Sequence, residues 1–141
     1  MASNENILYM VESLKNALVN PKHMTTKFIG FNYSAHEIFR AMSNLANCSD
    51  QNIKFLVEGG LLELISKSID APEDSTMIFQ LEEKTYATKC CWQICMSGNK
   101  NYIEKILKNN ELIKGIFLDF HLPNSGGYIY CSYMHLSQSL F

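Results

Sequence analysis

Cys91 and Cys95 stand four residues apart in a helical pattern, a spacing that can bring two thiolates to one metal ion. No His and no third Cys accompanies them at ligand spacing, so the pair reads as core packing and no metal is expected. The four histidines, His23, His36, His121 and His135, fall in a loop, a first helical turn and a tail. None has a Ser or Cys placed as the nucleophile to its base. A Gly-rich phosphate loop, an H-E-x-x-H pair and a G-x-S-x-G elbow are all missing from the sequence. A cysteine hydrolase would lack its base, so the expectation is no catalytic residue, no cofactor and no enzyme. Trp92 would be a strong partner anchor if exposed. With Cys91 and Ile94 beside it, a ring buried between structural units is the better reading.

Composition narrows the classes further. At 141 residues the chain is long enough for one domain with a continuous core, burying roughly two-thirds of its unfolded surface. Twelve basic against 14 acidic residues leave a formal charge of −2, with no Lys/Arg run dense enough to neutralise a phosphate backbone, so nucleic acid is not an expected partner. Cysteines number five, and Cys90 and Cys91 are adjacent and face different ways on a helix, which argues against a disulfide framework and for a reducing compartment. Glu5 and Glu12 interrupt what would be the start of a signal peptide. No apolar run approaches the roughly 20 residues needed to span a bilayer. A cytoplasmic location and no membrane partner are the expectation.

The elements that must carry any site are helices. Residues 4 to 20 place Ile7, Val11, Leu14 and Leu18 on one stripe, with Asn4 as a cap and Asn20-Pro21 as the stop. Residues 21 to 32, PKHMTTKFIGFN, read as a loop whose Phe28, Ile29 and Phe31 tuck onto the core. A long helix then starts at a capping box, Ser34 with Glu37, reinforced by a staple between Tyr33 and Ile38. Its apolar face is Ile38, Met42 and Leu45 with Phe39 and Ala46. Ser49 or Asp50 caps a short helix carrying Ile53, Leu56 and Val57, and Gly59-Gly60 ends it in a left-handed turn. A third helix buries Leu61, Leu62, Leu64, Ile65 and Ile69.

This long, short, medium succession recurs. Residues 70 to 80 are an acidic, turn-rich surface loop. A second long helix follows over 81 to 97, with Ala87, Cys91, Ile94 and Cys95 as its apolar set. Gly98 ends it, Asn99 caps a short helix with Tyr102, Ile103, Ile106 and Leu107, and Asn109-Asn110 stand in place of the Gly pair as a left-handed turn. Leu112, Ile113, Ile116, Phe117 and Phe120 mark the last helix. A unit that recurs at fixed spacing and cannot bury its apolar face alone predicts a stack of repeats and a binding surface, not a catalytic pocket. The boundaries expected are a repeat domain over 1–120, divided into a partial first repeat at 4–47, a second at 50–97 and a partial third at 100–120. The tail, 121–141, is irregular or truncated. Its aromatic stretch YIYCSYM either folds back over the open end or belongs to a chain that continues, and the second is favoured because terminal repeats need a polar cap.

The run from Phe39 to Ala46, FRAMSNLA, followed after a polar turn by Asn52 to Ile65, NIKFLVEGGLLELI, resembles the armadillo-repeat pattern. Cys90 to Cys95, CCWQIC, resembles a variant ending of the same long helix. The similarity covers residues 34 to 119 well and 4 to 20 weakly. It departs from the family in its 49 to 50 residue spacing, against about 42, and in its Asn109-Asn110 pair. The resemblance implies an all-α fold, an α-α superhelix of the right-handed, armadillo-like α-solenoid kind. It also implies a scaffold or adaptor that binds a polypeptide on a concave face made by the helices at 34–47 and 81–97. In that family an Asn at the position of Asn44 hydrogen-bonds the backbone of an extended peptide, for which an amide has both donor and acceptor. Gln93 would be its counterpart, and Arg40 and Lys89 would frame the groove with positive charge. The bland alternatives are that Asn44 satisfies backbone groups between stacked units and that the two cations are solvated. A rival reading is an N-terminal regulatory or oligomerisation segment of a longer signalling protein, such as a TIR or kinase chain.

Overall fold

Helix after helix follows from the spacing of apolar residues, and the computed structural model describes residues 4–19, 26–28 and 30–113. The elements run α1 (Asn4–Val19), β1 (Thr26–Phe28), β2 (Phe31–Tyr33), α2 (Ala35–Cys48), α3 (Asp50–Glu58), α4 (Leu61–Asp70), α5 (Gln80–Met96) and α6 (Lys100–Lys108). A further helix begins over 110–113. The stripe Ile7, Val11, Leu14, Leu18 on α1 is buried, and α1 lies against α2, α3 and α4. Phe39 and Met42 of α2 are fully buried, and α2 packs against α5 more extensively than any other two elements pack. At that interface the Cys90 thiol donates to the Phe39 carbonyl at 3.3 Å, one point where the two backbones come close. One apolar core runs through α1 to α6 and takes in Leu112 beyond them. The expected residues 116 to 120 and the tail 121–141 lie outside the described residues, and so does Ile29. No helix among the described residues is long and apolar enough to cross a membrane.

The expected loop at 21–32 is in part a hairpin. Thr26 pairs with Tyr33, Lys27 with Asn32 and Phe28 with Phe31, and Gly30 before β2 has φ 79°. β-Branched and aromatic residues flanking a two-residue link ending in Gly are a hairpin signal, and it prevails over the loop reading. Phe31 does not tuck onto the core: it is 67% exposed at the turn end of the ribbon. Tyr33, at the end that runs into α2, is half-buried instead.

Helix ends show why the joints sit where they do. The Ser49 hydroxyl accepts from the Asn52 amide at 3.1 Å and starts α3. Gly60 takes the left-handed turn (φ 103°), whereas Gly59 is right-handed and serves close approach: a Cβ there would stand 3.1 Å from the Phe55 carbonyl and 3.2 Å from Leu8 of α1. Asn99 caps α6 by accepting from the amides of Asn101 and Tyr102. Two expected joints differ. Ser34 makes no capping bond, because its hydroxyl is 2.6 Å from Nδ1 of His36. Asn109 is not left-handed but extended (φ −94°, ψ 102°), and its side-chain oxygen accepts from the Leu112 amide and the Ser66 hydroxyl. An Asn that can cap the following helix need not imitate glycine.

Residues 71–79 form the surface loop expected between α4 and α5, yet both ends of it are tied down. Gln80 donates to the Pro72 carbonyl and accepts from the Asp74 amide. Lys84 donates to the carbonyls of Ile69 and Ala71, a cation at the end of α4 where the helix dipole favours one. Beneath them the Ser68 hydroxyl donates to the buried Glu83 carboxylate. The all-α expectation holds, with the small hairpin added. No solenoid is visible among the described residues, which hold one complete long, short and medium unit, α2 to α4, and the first part of a second.

Candidate functional site

Arg40 and Asn44 lie one turn apart on the exposed side of α2 and line the same groove, of about 470 Å³. Its floor and walls are Ile38 and Ala41 of α2, Met10 of α1 and Tyr33 at the end of β2, with Glu37 at the rim. The helix carries these groups to one side because positions 37, 40, 41 and 44 fall on one face. The reverse face, Phe39, Met42 and Ala46, is sunk in the core and fixes the rotation of α2. Tyr33 and Ile38, read from sequence as a staple, are both here.

Three polar groups at this rim are uncommitted among the described residues. Among the described residues neither the Arg40 guanidinium, the Asn44 amide nor the Glu37 carboxylate takes a hydrogen bond or an ion pair. The role weighed for Asn44, satisfying backbone within the fold, is carried by Asn52. That side chain is 2% exposed, donates from Nδ2 to the Leu45 carbonyl at 2.9 Å, and so closes one of the open carbonyls at the end of α2. Glu37 was missed as a site residue because S-x-x-E reads as a capping box. His36 draws the Ser34 hydroxyl away, and Glu37 is left at the groove.

Lys89 and Gln93 do not join this groove. Gln93 is buried at 9% exposure in the face of α5 that meets the core, and Lys89 is half-buried and already engaged. Helix α5 is flanked on both sides, by α2 and by α4, so fewer of its positions reach solvent than on α2. Trp92 is half-buried on α5, neither an exposed anchor nor fully interior.

The buried cysteines of α5 are poor nucleophiles. Cys90, Cys91 and Cys95 are fully buried. Burial pushes the Cys90 thiol far up, and the Cys95 side chain, hydrogen-bonded to Cys91, together with burial raises Cys91 well above the usual thiol range. Both are held as thiols, which opposes the thiolate a nucleophile or a metal ligand requires. The Ser34 and His36 contact is a Ser-His pair that the sequence did not lead one to expect. Its ring stacks on Phe79 with centroids 4.4 Å apart, and no described residue orients its other nitrogen. It ties the start of α2 to the α4–α5 loop. Two further hollows are of about 330 Å³ beside Asp50, Lys54, Asn99 and Tyr102, where Asn99 is consumed in the α6 cap, and of about 290 Å³ along residues 73–84, where Gln80 and Lys84 are consumed in tying down the loop. No family model, no curated protein and no solved structure matches this chain.

Proposed function

We propose that this chain is a non-catalytic interaction module that binds an extended stretch of another polypeptide along α2. In this reading apolar side chains of the ligand settle on Met10, Tyr33, Ile38 and Ala41, and the Asn44 amide hydrogen-bonds a peptide unit of its backbone. The observation that carries it is an exposed amide and an exposed guanidinium, both without a partner among the described residues, at the edge of an apolar groove. Sites that take a ligand are commonly of about 300–1,000 Å³, apolar with a few convergent polar groups, which this groove matches. The armadillo-like reading of the unit α2 to α4 is supported by its long, short, medium order, by the left-handed Gly60 between α3 and α4, and by the direct packing of α2 on α5. On that reading the peptide face would continue across α5, with Lys89 contributing more than the buried Gln93.

The test is selection from a random peptide library displayed on phage, followed by NMR mapping of the selected peptides on isotope-labelled protein. Selected peptides are expected to shift the signals of Met10, Ile38, Ala41 and Asn44, and to bind Asn44→Ala roughly tenfold more weakly, the loss of one or two hydrogen bonds. Peptides that map to another face, or that bind Asn44→Ala as well as the parent, overturn the proposal.

A further inference from the structure

Arg40 is the one arginine of the chain; every other basic residue is lysine. It stands exposed at the groove, with apolar Ile38 and Ala41 beside it and no acidic partner among the described residues, although Glu37 is only one turn away. A guanidinium presents a planar fork that matches a carboxylate in a two-point contact, which an ammonium does not. Glu37 is a second charge of opposite sign toward the start of α2. Positions 37, 40 and 44 span about 10 Å of helix axis, the length of about three extended residues.

We infer that the ligand of this groove is an extended peptide carrying a single carboxylate side chain, paired with Arg40, next to an apolar side chain seated on Met10, Tyr33 and Ile38. The inference rests on the proposed peptide-binding role of α2 and adds the charge pattern of the partner. The carboxylate takes the fork of Arg40 and the neighbouring peptide unit takes the Asn44 amide. Toward the other end Glu37 repels a second acidic residue and accepts a basic one or a backbone N–H. Such an arrangement selects a lone Asp or Glu within an apolar context and selects against an acidic run, because the unfavourable contact with Glu37 discriminates as much as the favourable one with Arg40. A phosphate or polyanion meets the same repulsion at Glu37, and one guanidinium is a poor match for several charges.

The experiment is parallel selection from one library of acetylated, amidated octapeptides, randomised throughout, on the parent protein and on Arg40→Glu, Glu37→Gln and Asn44→Ala. All three sites are exposed, and matching circular dichroism and unfolding midpoints would confirm that the variants fold alike. On the parent, Asp or Glu is expected at one position, adjacent to Leu, Ile, Met or Phe, with roughly tenfold preference over Asn or Gln, as one charge-assisted pair supplies. Arg40→Glu is expected to exchange that preference for Lys or Arg at the same position, and Glu37→Gln to admit a second acidic residue. If the parent selects peptides that weaken on Asn44→Ala but show no acidic position, or if Arg40→Glu keeps the acidic preference, the carboxylate inference falls while the groove stands. Should the parent select no peptide, or only peptides indifferent to Asn44→Ala, both readings fall together.

Discussion

Two asparagines eight residues apart do opposite work. Asn52 is spent inside the fold, where its Nδ2 serves the Leu45 carbonyl, whereas Asn44 faces solvent and its amide has no partner among the described residues. Asn52→Ala should therefore lower stability by about 1–3 kcal/mol, since the Leu45 carbonyl loses its donor, while Asn44→Ala should stay within about 0.5 kcal/mol of the parent. Urea unfolding of the two variants separates them, and equal losses would contradict the assignment. Thiol labelling offers a second residue-level check. Cys48 is exposed and Cys90, Cys91 and Cys95 are buried, so iodoacetamide on folded protein should alkylate Cys48 readily. The other three should react only as the protein unfolds, as read by peptide mass spectrometry. Asn44 and Arg40 were reached through the armadillo-like resemblance of the run around them, and helical spacing adds only that the two stand one turn apart on one face. Gln93 could not be excluded that way. Its exposure depends on helices packed on two sides of α5, which the pattern of α5 alone does not encode.

Helix joints were legible wherever one residue type has one physical use. Gly60 and Gly98 both take positive φ, and Ser49 and Asn99 both cap as their positions require. Gly60→Ala is expected to cost about 1–2 kcal/mol for the left-handed backbone, and Gly60→Asn less, because Asn tolerates that conformation. Thermal unfolding of the pair tests the order, which would reverse if the turn had shifted. Residues with two uses misled. Ser34 is offered both a helix cap and a nearby imidazole, and it takes the imidazole. Asn109 is offered a left-handed turn and a capping role, and it takes the cap. The hairpin at 26–33 was hidden for another reason: three-residue strands are too short for alternation to rise above the surrounding aromatic residues.

Three thiols of α5, Cys90, Cys91 and Cys95, are buried in the core, and this makes the stability of the molecule sensitive to alkali. Unfolded Cys90 and Cys91 ionise near their ordinary value of about 9, while in the folded protein both stay protonated well beyond it. Above pH 9 the folded state then binds more protons than the unfolded one, so stability should fall as pH rises, by up to about 1.4 kcal/mol per pH unit for each thiol. Tyr102, raised by burial and by Glu58, adds to the fall above about pH 10. Denaturant titrations at pH 8, 9 and 10 check the slope, and Cys90→Ala should flatten it whatever its effect on stability at neutral pH. The all-α class was legible at this scale because α1 to α4 and α6 show their buried faces in the sequence, although α5, which buries Glu83, Thr88 and Gln93, does not. How the units stack was not, since that depends on angles between helices rather than on periodicity. The tethered stretch between α4 and α5 has one more implication. Gln80, Lys84 and Glu83 secure its flanks through Ser68, Ile69, Ala71, Pro72 and Asp74, and none of these bonds reaches residues 75 to 79. Extra sequence spliced after Ser75 should leave the helices on either side undisturbed, which makes that point a natural place for length to drift and a safe one to attach a fluorophore.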